Sequence, residues 1–210
     1  MNILAIGAHF DDVELGCGGA LAKHAADGDA VDVFVATVSG FSNQNAQAVR
    51  SSEIALRQIE EAMKLIGTKE MFGGQFKTLE VEFMDELNVQ ILRTVRDKKI
   101  DLVYTHWTGD IHHDHQAVAR ASLQSCRHVP RLLMYWCNWD HSNQDFRGNF
   151  YVGITDFWST QEQTIRAHVS EVERTGNKWI SFFRNEAENA GQRIGVSHAK
   201  VFEIVKWLAP

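Results

Sequence analysis

The sequence predicts an α/β fold of Rossmann-like type, with a mostly parallel sheet flanked by helices. Short apolar runs alternate along the chain with segments of helical periodicity. One of these runs, AVDVFVATVSG, is rich in β-branched residues, which suits a strand buried on both faces. Pro130 is the only proline inside the chain and no repeat or low-complexity run interrupts it, so residues 1–210 are predicted to form a single domain.

The first half of the chain supplies three strands and two helices. NILAIGAH is an apolar run that ends at polar residues, and LGCGGALAKHAADG follows with helical spacing and a stop signal at Gly28. After the β-branched strand, a helix is predicted from about Ala46 to Ile66, ending before a glycine. A third strand is expected near Glu70–Phe72.

The second half continues the alternation. A helix over roughly Asp85–Lys98 precedes the strand DLVYTHW, the helix HQAVARASLQSC and the fifth strand RLLMYWCN. Right-handed crossovers between parallel strands then predict the sheet order 3-2-1-4-5. The last third is less regular: NFYVGIT and AKVFEIVKW have strand patterns, and residues 156–174 and 178–190 have helical ones.

Composition narrows the class of partner. A formal charge of −6 and a pI near 5.9 argue against binding to nucleic acid or to an anionic membrane, because such a surface repels phosphate. The three cysteines contain no CxxC pair, which indicates a reducing compartment. No signal-peptide pattern and no apolar run of about 20 residues is present, so we expect a cytoplasmic protein without a membrane span that acts on a small molecule.

Two polar clusters follow strands 1 and 4, namely HFDD at 9–12 and DIHHDH at 110–115. In the predicted order these strands are neighbours, and open α/β sheets bind ligands beyond the carboxyl ends of such strands. Two histidines and one carboxylate leave a divalent metal with open positions for water and substrate. His9, Asp12 and His115 are therefore the predicted metal ligands.

Simpler interpretations exist for the separate pieces. Either aspartate of HFDD alone could be a helix N-cap, and Glu14 could serve the positive end of the helix dipole. His106, at the end of strand 4, is more typical of a hydrogen-bonded histidine than of a ligand. The glycines of GCGG lack the GxGxxG spacing, so close packing of helix on sheet explains them better than nucleotide binding does.

These residues resemble the motifs of the PIG-L/LmbE-like family of metal-dependent deacetylases. The family motif AHPDDxExGxGG is matched by AHFDDVELGCGG, and HxDH is matched by HHDH at 112–115. RSSEIALRQIEEAMKLIG at 50–67 resembles the family's RxxE helix, and the resemblance covers roughly residues 2–120. Phe10 stands where the family has proline, a departure that affects the stiffness of the turn more than metal binding.

The resemblance implies a role for each matching residue. His9, Asp12 and His115 would bind zinc, in agreement with the ligands predicted from placement. Asp11 would be the general base, and Asp114 would tune the local charge. His112 would either stabilise the oxyanion or protonate the leaving amine.

Three further residues are candidates for substrate binding. Arg50 matches a family arginine that can reach substrate oxygens, although a surface ion pair with Glu53 is an equally good interpretation. Trp107 and Trp139 follow strands 4 and 5, where an aromatic face could cover a sugar ring, and core or interface burial is the alternative. Residues 138–149 are polar and irregular, as substrate loops often are.

The leading prediction is a zinc-dependent hydrolase that removes an N-acetyl group from an amino sugar or glycoconjugate, a substrate class that comes from the resemblance alone. Two histidines and one carboxylate also suit the Fe(II) of a non-haem oxygenase, so Zn²⁺ is favoured and Fe²⁺ stays open. A non-catalytic Rossmann-like module that binds a metal or nucleotide is the third hypothesis. The aromatic-rich tail could form the interface of a homo-oligomer.

Overall fold

One mixed sheet forms the centre of the protein. A computed structural model describes residues 1–42, 45 and 47–209, and within them seven strands form this sheet and two more form a short separate ribbon. In chain order the strands are β1 (Asn2–Gly7), β2 (Ala30–Thr37), β3 (Phe41–Ser42), β4 (Ala48–Arg50), β5 (Glu70–Phe76), β6 (Leu102–His106), β7 (Arg131–Tyr135), β8 (Phe150–Gly153) and β9 (Ala199–Trp207).

Helices cover both faces of the sheet. They are α1 (Asp12–Ala26), α2 (Ser52–Ile66), α3 (Asp85–Asp97), α4 (His113–Ser125), α5 (Trp158–Ala167), α6 (Val169–Thr175) and α7 (Lys178–Ile194), with a 3₁₀ turn at Thr155–Phe157. Among the described helices, none combines the length and the apolar character that a membrane crossing needs.

The strand order confirms the predicted α/β class and extends the predicted order. The sheet runs β5-β2-β1-β6-β7-β9-β8, and its first five strands are parallel in the predicted order 3-2-1-4-5. The difference lies at the far edge, where β9 pairs antiparallel with β7 and β8 pairs antiparallel with β9. Pairing between strands about 50 residues apart leaves no local signal, so the periodicity of the chain could not reveal it.

Two apolar layers hold the sheet between its helices. Along β1, Ile3 and Ala5 belong to one buried cluster, and Leu4 and Ile6 belong to another on the opposite face. This alternation follows from the period of two in a strand. Because β1 is buried on both faces, the turn that follows it starts from a fixed position.

Several predicted boundaries are wrong. Helix α2 begins at Ser52, since residues 48–50 pair with β3 and Ser51 caps the helix by accepting the N–H of Ile54 at 3.2 Å. The predicted start at Ala46 lies outside the described residues. The helical segment 156–174 is broken into the 3₁₀ turn, α5 and α6, and the third strand continues to Phe76.

The glycines of GCGG lie inside α1, where they pack as the sequence predicts. A Cβ on Gly16 would overlap the ring of Tyr135, a fully buried residue of β7 whose hydroxyl donates to the carbonyl oxygen of Ile6 at 2.7 Å. A Cβ on Gly18 would meet Thr164 at an ordinary van der Waals distance of 3.4 Å. The first glycine therefore sets how closely the helix approaches the sheet.

We expect Gly16→Ala to lower the free energy of unfolding by about 2 kcal/mol, because the rigid ring of Tyr135 cannot move away. Gly18→Ala is the matched control in the same helix, and it should be neutral or stabilising by up to ~1 kcal/mol through better helix propensity. Urea unfolding of both variants measures the difference. Equal stabilities would contradict the packing described for α1.

Candidate metal centre

The sheet brings the two polar clusters together, as predicted. Strands β1 and β6 are parallel neighbours, so residues 9–12 and 110–115 meet beyond the same edge of the sheet. The turn after β1 enters α1 at Asp12, and the turn after β6 enters α4 at His113. Each cluster is thus held between a buried strand and a helix that packs on that strand.

Three predicted ligands converge on one point. His9 Nδ1 lies 3.2 Å from His115 Nε2, His115 Nε2 lies 3.2 Å from Asp12 Oδ1, and His9 Nδ1 lies 3.5 Å from Asp12 Oδ2. Donors 2.0–2.1 Å from a tetrahedral ion lie about 3.3 Å apart. The residues present therefore fit a divalent ion with three protein ligands.

Each of the two histidines also has a carboxylate at its other ring nitrogen. Asp114 Oδ2 lies 2.8 Å from His9 Nε2, and Asp114 is itself held by the backbone N–H groups of Leu79 and Val81. Asp110 Oδ2 lies 3.1 Å from Nδ1 of His115, although the contact is bent. Carboxylates in this position orient the imidazole rings of metal sites. Asp114 therefore holds the ring of a predicted ligand, a more specific contact than the charge tuning predicted for it.

Asp12 is the most heavily engaged group of the centre. It is buried, and its Oδ2 accepts the N–H groups of Ala8 at 3.0 Å and His9 at 2.7 Å. Burial raises the pKa of Asp12, but His115, His106 and His9 outweigh it and hold that pKa well below its usual range. The carboxylate is thus charged and fixed.

The carboxylates of the centre favour the protonated forms of His9 and His115. Burial lowers the pKa of His9, but the carboxylates of Asp12 and Asp114 raise it to about 9. Burial likewise opposes protonation of His115, yet Asp12 and Asp110 hold its pKa well above its usual range. Both rings must be neutral to bind a metal, so metal binding competes with protons.

Asp11 has a different environment from the aspartate beside it. Burial and the neighbouring charge of Asp12 raise the pKa of Asp11 to about 6, against the opposing effect of Arg50. Nη1 of Arg50 donates to Asp11 Oδ2 at 3.2 Å. Arg50 is 3% exposed and does not pair with Glu53, which contacts Arg57. The alternative of a surface ion pair is therefore wrong.

The ring of His112 stacks on that of His115 and contacts that of His9 edge-on. Its Nδ1 accepts the backbone N–H of Asp114 at 3.2 Å, so the neutral ring carries its proton on Nε2. Burial and the nearby His115 and His9 lower the pKa of His112 to about 4. Near neutral pH this side chain is a hydrogen-bond donor and not a cationic acid.

Two site residues were missed or left aside by the sequence analysis. Cys137 lies two residues beyond β7, and its Sγ is 3.7 Å from both Asp12 Oδ1 and His106 Nδ1. Together with His115 these residues form a second, fully buried set of potential donors. The rule that found His9 also applies to the end of β7 and could have found Cys137. Nε2 of His106 lies 2.9 Å from the backbone nitrogen of Ala8 and 3.1 Å from Asp12 Oδ2, so Nδ1 is the nitrogen that faces Cys137.

Phe10 fixes the turn in place of the family's proline. Its side chain is buried in the core, and its N–H, which proline would lack, donates to Ser39 Oγ at 2.7 Å. The turn is held by a hydrogen bond and by packing instead of by a ring.

A cavity of about 410 Å³ opens over the centre. Its walls include Phe41, Leu79, Trp139 and Trp179, together with the side chains of His9, Asp11, Asp12, Arg50, His112, His115 and Cys137. The volume is within the range of small-molecule sites. Trp107 lies elsewhere: it is buried against Phe146 in a neighbouring cavity.

The chain is a doubly wound, Rossmann-like α/β domain whose buried histidine–carboxylate centre, at the carboxyl edge of the sheet, could hold a metal. Comparison with known proteins narrows the class. The chain belongs to the PIG-L family, whose model, described as GlcNAc-PI de-N-acetylase, matches residues 4–126.

Relatives and solved structures extend the match. The uncharacterized deacetylase YaiS of Escherichia coli (strain K12) is 34% identical over 140 residues, covering 64% of this chain and 72% of YaiS. The N,N'-diacetylchitobiose deacetylase of Pyrococcus horikoshii has a TM-score of 0.83 at 21% identity, covering 97% and 83% of the two chains. GalB, the 4-carboxy-2-hydroxymuconate hydratase of Pseudomonas putida KT2440, has a TM-score of 0.79 at 16% identity, covering 100% and 98%.

We expect the EDTA-treated protein to lose stability as pH rises from 6.5 to 8. The folded-state pKa of His9 is raised to about 9, so the stability it contributes is complete below its unfolded pKa of 6.5 and falls as pH rises toward 9. His9 alone accounts for about 1.5 kcal/mol over this interval, and the raised pKa of His115 acts in the same direction.

Urea unfolding at four pH values in this interval, with EDTA and with added zinc, measures the effect. Zinc should reverse the trend, since it binds better as the histidines lose their protons. A stability of the EDTA-treated protein that is flat or rises with pH would contradict the charge balance of the centre.

Proposed function

We propose that the protein is a metal-dependent amide hydrolase that removes an N-acetyl group from an amino sugar or its conjugate. One observation carries this proposal. A triangle of metal-type donors lies beside a further carboxylate, Asp11, which is buried, has a raised pKa and is not needed as a ligand. Hydrolysis of an amide needs both a metal and a base of this kind.

The relatives support the substrate class. The family model is described as GlcNAc-PI de-N-acetylase, and two of the three similar proteins are named as deacetylases, one of them of diacetylchitobiose. The cavity agrees with such a substrate, because Trp139 and Trp179 line its wall and aromatic side chains can cover a sugar ring. Trp107 is left out of this proposal, since it faces the neighbouring cavity.

His9, Asp12 and His115 would hold the metal. Zn²⁺ suits two imidazoles and a carboxylate, and it would supply a Lewis acid that lowers the pKa of water and polarises an amide carbonyl. Asp114 orients His9, and the backbone N–H groups of Ala8 and His9 orient Asp12, so the donors are in place before substrate arrives.

Asp11 would move the proton. Its carboxylate takes a proton from the attacking water, whose oxygen forms a bond to the carbonyl carbon. When the C–N bond breaks, the same proton passes to the departing amine. The products are the free amine and acetic acid, which releases its remaining proton to solvent as acetate. A pKa raised toward neutrality suits a group that must first accept and then donate.

His112 would stabilise the oxyanion. Its Nε2–H donates a hydrogen bond to the carbonyl oxygen as negative charge develops there. Because its pKa is lowered to about 4, His112 is a poor source of protons at neutral pH. Of the two roles that the resemblance left open, we therefore favour oxyanion stabilisation over protonation of the leaving amine.

An Fe(II) oxygenase uses a similar ligand triad and is the second candidate. It does not account for Asp11, which a hydrolase requires and oxygen chemistry does not. Consumption of oxygen that depends on Fe(II) and is lost with zinc, without release of acetate, would favour the oxygenase. Release of acetate from a panel of N-acetyl sugars measures the proposed activity.

We expect Asp12→Ala and His115→Ala to lose the metal, while Asp11→Asn keeps it. Elemental analysis of the purified proteins, after reconstitution with zinc, should give close to one ion per chain for the wild type and for Asp11→Asn. If all three variants kept the ion, the proposed ligands would be wrong.

Asp11, unlike the proposed metal ligands, should be needed for catalysis and not for metal binding. Asp11→Asn removes the proton acceptor and should lower kcat by roughly 10²–10⁴-fold, with acetate release from N-acetyl sugars as the measurement. His112→Ala should lower kcat by about 10²-fold through loss of one oxyanion donor. Full activity in either variant would contradict the proposed mechanism.

A further inference from the structure

A buried chain of polar groups leads from Asp11 away from the cavity. Nη1 of Arg50 donates to Asp11 Oδ2 at 3.2 Å, and its Nη2 lies 3.1 Å from His168 Nδ1. Nε2 of His168 lies 2.8 Å from Glu14 Oε1. Both His168 and Glu14 have no exposed surface, so water does not satisfy either of them.

The contacts fix the proton on His168. A guanidinium can only donate, so Nδ1 of His168 must accept from Arg50 and cannot carry a proton. Nε2 then carries the proton and donates a hydrogen bond to Oε1 of Glu14. His168 is therefore a neutral ring with one tautomer, joined to a cation on one side and to a carboxylate on the other.

Arg50 has little freedom within this chain. Nη1 also donates to the carbonyl oxygen of Phe10 at 3.2 Å, and Nη2 also donates to Gln58 Oε1 at 3.2 Å. Both terminal nitrogens are thus engaged by protein acceptors, although the side chain lines the cavity. This engagement argues against the substrate contact predicted for Arg50.

We propose that His168 and Glu14 are positioning residues that act through Arg50 to hold the carboxylate of Asp11 toward the cavity. The inference rests on the proposed role of Asp11 as general base. A free arginine loses much conformational entropy when it is fixed, and partners on its far side reduce the number of rotamers it can adopt. A base held in one orientation needs no rearrangement when the water attacks.

The row of polar groups from Asp11 to Glu14 includes one residue from the C-terminal third, His168. His168 lies at the junction between α5 and α6, beyond residues 4–126 that match the family model. Helix α5 packs on α1 and α2, the helices that carry Glu14 and follow Arg50. The helical break at His168 thus places its ring between Arg50 and Glu14.

A double-mutant cycle tests the inference. His168→Leu should lower kcat by roughly tenfold or more, with KM changed less than twofold and metal content unchanged. In Asp11→Asn the same substitution should lower kcat no further, because the residue acts through Asp11. His168→Gln keeps an acceptor and a donor and should restore kcat to within about threefold of wild type.

His24→Leu is the matched control. His24 also bonds to a carboxylate, Asp29 at 2.7 Å, and to a tyrosine hydroxyl, that of Tyr104 at 3.0 Å, but it lies at the far end of α1. It should lower stability without changing kcat of the folded protein. Additive losses in the cycle, or a loss of kcat in His24→Leu equal to that in His168→Leu, would overturn the inference and leave the proposed hydrolase intact.

NMR of the imidazole nitrogens gives a readout without turnover. The wild type at pH 7 should show His168 as the neutral Nε2–H tautomer, and Arg50→Leu should shift its Nδ1 signal. An imidazolium or an Nδ1–H tautomer would overturn the inference whether or not the protein hydrolyses amides. If the ring signature is found but no N-acetyl sugar is hydrolysed, the proposed function fails and the positioning chain stands as structure alone.

Discussion

One buried anion, the carboxylate of Asp12, sets the conditions that the rest of the site meets. A carboxylate without compensation inside a protein costs several kcal/mol. Here the compensation comes from separate elements: backbone N–H groups of the β1 turn, His106 at the end of β6 and His115 in α4. These elements meet only because β1 and β6 are neighbours in the sheet. The sheet order and the charge of the centre are therefore one constraint.

Local pattern was enough to predict the parallel part of the fold and the meeting of the two polar clusters. His9 and His115 follow apolar runs that can only be strands, and the switch-point rule joins them without any long-range information. The antiparallel strands β8 and β9 and the contact of His168 with Glu14 depend on distant parts of the chain. The helix dipole accounts for a carboxylate at position 14 but not for its contact with His168, because nothing near Glu14 in the sequence marks residue 168.

Different segments of the polypeptide form the candidate metal centre and the cavity wall beside it. His9, Asp11, Asp12 and His115 lie within the segment that matches the family, while Trp139 and Trp179 in the cavity wall lie beyond it. A wall built from a loop and a late helix can change without disturbing the strands that carry the centre. A hydratase and a deacetylase share this fold with the chain at 16% and 21% identity, so the fold alone does not identify the reaction.

The two aspartates of HFDD differ in their electrostatic surroundings. They are adjacent in sequence and both are buried, yet the pKa of Asp12 is pushed down by three histidines and the pKa of Asp11 is raised to about 6 by burial and by Asp12 itself. A group that stays charged suits a metal ligand, and a group near its titration point suits a base. Arg50 opposes the rise without abolishing it, because burial and the charge of Asp12 outweigh it. The histidines keep Asp12 ionised, and Asp11 is therefore the aspartate that can exchange a proton near neutral pH.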